Sequence, residues 1–268
     1  MVLNYKIEGE GEPLLLLHGL GITFTIWQDL VPLLKPHYKL IMVELPGHGK
    51  SPLPNFHLPY YQESACRLEE LRQSLGIERW NILGYSMGAW AAHEYIRRYP
   101  EHVSHAIFLC PATLNRFWSW SLEGLVKVDR YLPSLASWLL DGWRLNRLVR
   151  ALGFNGRRHP YAAYWTKEIH GQPVQVIKQL LRDLPNSGRA RFSLPEGVHS
   201  VFIWGAKDVI VSRPKRRRPN DVFVPAMHSA PQLAASAIAS AVMAYEAPVE
   251  PANLGESQAA FDALLWGL

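Results

Sequence analysis

Ser86 stands between two glycines in Gly84-Tyr85-Ser86-Met87-Gly88, where an apolar run of strand character gives way at once to an Ala/Trp-rich helical pattern. A serine on so tight a strand-to-helix turn is held in a strained backbone conformation, and side chains two positions either side would collide with the turn. A hydroxyl is a poor nucleophile at neutral pH, so the turn matters only if a base lies within hydrogen-bond reach and a third group fixes that base's tautomer. The candidates are Asp208, which follows Val201-Phe202-Ile203-Trp204, and His228, which follows Val222-Phe223-Val224. Both fall where strands end, in the chain order serine, acid, histidine. The loop after Val103–Cys110, the other place for an acid, reads Pro111-Ala112-Thr113-Leu114-Asn115 and holds no carboxylate. His199 precedes its strand, and His93 is about 10 Å along the helix from Ser86 at ~1.5 Å per residue, too far for a base. His48 lies in a glycine loop, and His159 and His170 in a segment between strands.

The oxyanion formed by attack needs donors aimed in advance. The amide of Met87 at the start of the helix supplies one. The second is expected from Leu20, in the accessible backbone of His18-Gly19-Leu20-Gly21. His18, Gly19, Tyr85, Trp118 and Trp143 are the expected substrate contacts.

The elements that must position these groups alternate. Strands are expected at 2–8, 14–17, 38–45, 80–84, 103–110, 200–204 and 221–224, with helices at 24–34, 61–75, 88–99 and 229–245. Four consecutive leucines, Leu14 to Leu17, predict a strand buried on both faces. The fold class is α/β, a mostly parallel twisted sheet with helices on both faces. From residue 113 to 190 the strand pattern stops and helical stretches follow at 121–131, 134–152 and 162–184. We read a core of residues 1–112 and 191–245, a helical cap insertion over 113–190, and a linker with an amphipathic C-terminal segment over 246–268. Five of the ten tryptophans lie in the insertion, at 118, 120, 138, 143 and 165; they serve either its own core or the wall of an apolar pocket.

Composition narrows the classes. A chain of 268 residues with 48% hydrophobic and 19% charged residues is ordinary for a soluble globular protein. No apolar run reaches the length of a membrane span, and the N-terminus lacks a leader pattern, so a cytoplasmic location is expected. The net charge of +5 is largely the run Lys215-Arg216-Arg217-Arg218; no aromatic interleaving accompanies it, and nucleic acid is not an expected partner. Cys66 and Cys110 are read as reduced core residues.

His18-Gly19, Pro46-Gly47-His48-Gly49-Lys50-Ser51, the Ser86 pentapeptide, Trp204-Gly205-Ala206-Lys207-Asp208 and His228 together resemble the landmarks of the α/β-hydrolase superfamily, in its order, over about residues 10 to 245. The resemblance implies a Ser/His/Asp hydrolase with a helical cap, needing no metal or cofactor. The expected reaction is hydrolysis of a small or medium-chain carboxylic ester through an acyl-serine, on a small-molecule substrate with an apolar or aromatic acyl group. Three other readings stay open: a carbon–carbon bond hydrolase or menaquinone-pathway-type lyase on a carboxylate, a cofactor-free haloperoxidase or perhydrolase, and a non-catalytic binding module. Departures from the pattern are Glu44 before the Pro-Gly loop, Met227 before the histidine, and a spacing of only 20 residues from Asp208 to His228. That spacing predicts a short, irregular crossover between the last two strands.

Overall fold

The computed structural model describes residues 2–113, 116–141, 144, 167–169, 171–184, 193–211, 214 and 219–246. Trp143, His159, His170, the basic run 215–218 and the C-terminal stripe lie outside the described residues, as does the side chain of Trp118.

Seven strands form one sheet: β1 (Tyr5–Glu8), β2 (Glu12–Leu17), β3 (Tyr38–Val43), β4 (Trp80–Tyr85), β5 (Val103–Leu109), β6 (His199–Gly205) and β7 (Asp221–Val224). Their order is β1-β3-β2-β4-β5-β6-β7. β1 pairs antiparallel with β3 at one edge, and all other pairs are parallel. The leucine run explains the layering. Leu15 and Leu17 enter one core, shared with Ile41, Val43, Ile82 and helices α2 (Tyr60–Ser74) and α3 (Gly88–Arg98). Leu14 and Leu16 enter the other, with Leu40, Met42, Leu83 and the C-terminal helices. All four leucines are fully buried, as a strand covered on both faces requires.

On the α2/α3 face the core also holds charge. Glu69 accepts from Arg72 Nη2 at 2.7 Å, Tyr95 Oη at 2.7 Å and Gln73 Nε2 at 2.8 Å. Burial would raise its carboxyl, but these donors outweigh burial and bring it down to about 2. The ion pair is therefore satisfied through all of the neutral range, and its stabilisation fades only as pH falls below the ordinary glutamate value towards 2.

Two long helices expected from the sequence are shorter. Residues 24–34 split into a 3-10 turn (Phe24–Trp27) and α1 (Val31–Leu34). Pro32 is the reason: it has no N–H to give to an earlier carbonyl, so it fits the first turn of a helix but not its interior. The last helix breaks at Ala234 into α7 (Ala230–Leu233) and α8 (Ala235–Glu246). Between β5 and β6 lies a helical insertion with α4 (Arg116–Tyr131), α5 (Pro133–Leu139) and α6 (Val174–Asp183). Cys66 is exposed on α2, so its assignment to the core is corrected. Among the described residues no helix is long and apolar enough to cross a membrane.

Candidate active site

At the end of β4 the chain turns into α3 within two residues. Ser86 has φ 53°, the left-handed region that L-residues occupy only under constraint. A Cβ on Gly84 would lie 2.7 Å from Ala89 Cα, and one on Gly88 would lie 2.4 Å from the carbonyl oxygen of Leu17. The glycines thus allow both the turn and the packing of α3 on β2. Neighbouring strand β5 holds the turn from below: Ser86 N–H donates to Leu109 O at 2.9 Å, and Ala112 N–H to Ser86 O at 3.1 Å.

The acid and the histidine come from the ends of β6 and β7. Asp208 Oδ1 accepts the amides of Ile210 at 2.8 Å and Val211 at 3.2 Å, and Oδ2 takes His228 Nδ1 at 2.7 Å. Burial alone would push the Asp208 carboxyl up; the His228 ring and the two amides outweigh it and hold the carboxyl below the ordinary aspartate value. An ionised carboxylate only accepts, so Nδ1 carries the proton and Nε2 is left as an acceptor. Ser86 Oγ lies 2.9 Å from that Nε2.

The short crossover did not loosen this geometry. Its described residues contain no helix, and the two loops are joined by Ala206 N–H to Val224 O at 2.8 Å and Lys207 N–H to Ala226 O at 3.0 Å. Gly205 permits the approach, since a Cβ there would meet Ala226 O at 2.7 Å and Met227 O at 2.9 Å.

The residues expected to touch substrate divide. Gly19 lies against the nucleophile turn, where its Cβ would come within 3.2 Å of Ser86 Cβ, and this brings the Leu20 backbone alongside. His18 is fully buried with both nitrogens taken by backbone: Leu45 N–H donates to Nε2 at 2.9 Å, and Nδ1 meets Gly19 O at 2.8 Å. Burial and the neighbouring His48 drive its pKa well down, so it is a neutral brace for the loop. His48 is likewise buried, on Pro46 O and the Gly21 amide, with its pKa lowered to about 4 by burial. Tyr85 is buried too. Its hydroxyl donates to the backbone oxygen of His228 at 2.7 Å, and its ring lies 5.4 Å from the imidazole. Tyr85 therefore braces the histidine loop, a role for which the only signal in the sequence was its place beside the serine. Glu44 accepts Lys50 N–H at 2.6 Å and Asn4 Nδ2 at 2.7 Å, holding the Pro-Gly loop.

One assignment is overturned. The function and enzyme class expected from the sequence rest on a serine nucleophile alone, with Cys110 a reduced core residue, and Cys110 is indeed free and buried. Cys110 Sγ, an Asp208 oxygen and a His228 ring nitrogen all lie within 4.8 Å of one another. The cluster is therefore Cys/His/Asp as well, and Cys110, at φ 42° just past β5, shares the left-handed conformation of Ser86. The acyl-serine ester mechanism does not stand as the exclusive reading, because the acid–histidine pair has two nucleophile-type neighbours. They differ in setting. Ser86 faces Nε2, whereas the thiol is fully buried beside the carboxylate, and burial first, then the Asp208 charge, push its pKa well up.

A family model for the alpha/beta hydrolase fold matches residues 12–213. An uncharacterised protein of Mycobacterium bovis is 27% identical over 236 residues, covering 77% of this chain and 64% of that protein, so the chain spans just under two thirds of its length. A pimeloyl-[acyl-carrier protein] methyl ester esterase of Photobacterium profundum is 34% identical over 109 residues, 39% of each chain. The crystal structure of a hydrolase from Pseudomonas aeruginosa superposes with a TM-score of 0.71 at 17% identity, over 91% of this chain and 94% of that one, which shows a shared fold. With the sheet order, the strained turn and the strand-end acid and histidine already in hand, the match over most of its length shows that this chain belongs to the α/β-hydrolase fold family.

Proposed function

We propose that this chain is a hydrolase that attacks a polarised carbonyl carbon, with His228 as general base, Asp208 as its partner and Ser86 as the group it activates. The observation that carries the reading is that His228 is engaged on both nitrogens at once, on Asp208 at 2.7 Å and on Ser86 at 2.9 Å. As the Ser86 oxygen attacks, Nε2 takes its proton and Asp208 stabilises the imidazolium; the same proton then goes to the leaving group. The amides of Met87 and Leu20 are the donors for the oxyanion: the first N–H groups of a helix have no intrahelical partner, and Gly19 keeps the second loop against the serine.

The substrate class is a small acyl compound with an apolar or aromatic acyl group. Support comes from the partial alignment with a methyl ester esterase. A series of nitrophenyl acyl compounds of increasing chain length should be turned over with saturation, most efficiently at one length. Absence of turnover across the whole series would reject the reading. A second reading, attack by the Cys110 thiol, is favoured by the Cys/His/Asp cluster. It requires the buried thiol to lose its proton beside a carboxylate, and the two readings place the covalent intermediate on different residues.

A further inference from the structure

The helix that starts at the nucleophile also holds both ends of the helical insertion. At the entry, just past β5, Trp90 Nε1–H donates to Ala112 O at 3.1 Å, and Ala112 N–H in turn donates to Ser86 O at 3.1 Å. At the exit, ahead of β6, His93 Nε2 lies 3.0 Å from Ser193 O; a carbonyl only accepts, so Nε2 carries the proton. Trp90 and His93 are three residues apart on α3, hence on one face, and their rings meet edge to face with centroids 5.7 Å apart. The chain thus leaves the core and rejoins it at two carbonyls held by one aromatic pair. Between those ends the insertion touches the loops beside the site. A Cβ on Gly21, next to Leu20, would lie 3.3 Å from Ile169 Cγ1, and one on Gly47 would lie 2.6 Å from Val176 Cγ2. Ile169 and Val176 are both buried. Among the described residues the insertion adds no strand to the sheet, so side-chain contacts and its two fixed ends determine where it stands.

We propose that Trp90 and His93 are positioning residues, a clasp on α3 that sets where Ile169 and the rest of the insertion stand relative to Ser86, and so which acyl chains fit. This rests on Ser86 being the group that attacks an acyl compound. The clasp and the nucleophile share one rigid helix. Releasing either carbonyl lets the insertion shift against the oxyanion loop without altering the contacts of His228 with Ser86 and Asp208, so the effect falls on the binding of long chains and not on the chemical step.

The test compares His93→Phe, which keeps a ring against Trp90 and removes the donor, with His93→Gln, whose amide N–H reaches as far as Nε2. Trp90→Phe removes the donor at the entry, so the outcome does not depend on one variant folding. In His93→Phe and in Trp90→Phe, hydrogen exchange in α6 should be roughly three- to tenfold faster, as suits loss of one hydrogen bond, with exchange in α3 unchanged. KM for the longest nitrophenyl acyl compounds turned over should rise by roughly the same factor, while KM for the acetyl compound and kcat throughout stay within about twofold. His93→Gln should restore both exchange and KM. An unshifted chain-length profile in both donor-less variants would overturn the proposal, whatever the exchange. So would a His93→Gln variant as impaired as His93→Phe, which would leave packing alone, or an equal loss of kcat at every chain length, which would place the effect on the nucleophile turn. The underlying reading fails separately, if Ser86→Ala retains turnover; the exchange measurement does not depend on it.

Discussion

Ser86→Ala should lower kcat on the best nitrophenyl acyl substrate by ~10⁴-fold or more, with KM little changed. At about 1.4 kcal/mol per factor of ten, that is at least ~5 kcal/mol of transition-state stabilisation. The size follows from the geometry. Without Oγ, Nε2 of His228 faces a methyl group, and among the described residues no other hydroxyl bonds that nitrogen. What remains is the contribution of the oxyanion donors and of binding. The fold should be preserved, because the turn is made by Gly84, Gly88 and the backbone bonds to Leu109 and Ala112. A loss of less than tenfold, measured by steady-state kinetics on a variant of unchanged melting temperature, would remove Ser86 from the mechanism.

Asp208→Asn should cost up to ~10⁴ in kcat for a different reason. The oxygen facing Ile210 and Val211 receives two amides, so the asparagine must leave its carbonyl oxygen there and turn its NH2 towards His228 Nδ1. Nδ1 then becomes an acceptor, the ring proton moves to Nε2, and the base can no longer take a proton from Ser86. The pH profile should lose its histidine limb, and melting should change by only a few degrees, since the substitution keeps shape and both amide bonds. Retention of more than a tenth of the wild-type kcat would mean that another acid orients His228.

Much of this arrangement was legible in the sequence because backbone geometry leaves residue-type signatures. The Gly84/Gly88 spacing reports a turn with no room for Cβ, the Leu14–Leu17 run reports a strand covered twice, and Asp208 and His228 follow apolar runs that end together at one edge of a parallel sheet. What was not legible depends on contacts between strands far apart in the chain. Cys110 looked like the end of an apolar strand. Its approach to Asp208 is set by the pairing of β5 with β6 and by its positive φ, neither of which its residue type announces. The same holds for His18 and Tyr85: both flank the chemistry in sequence, and both are spent on bracing loops. The helix expected over 24–34 failed on a local rule that outranks periodicity, the missing N–H of Pro32. Cys66, on the exposed side of α2, shows the limit of assigning burial by residue type.

In the proposed mechanism His228, held by Asp208, activates Ser86 across the 2.9 Å contact. The most direct test is to stop a nitrophenyl acyl reaction with acid during the first turnover, digest the protein, and locate the acyl group by peptide mass spectrometry. The expected result is an acyl group on the peptide containing Ser86 and none on the peptide containing Cys110. An acyl thioester on Cys110, with Ser86 unmodified, would contradict it.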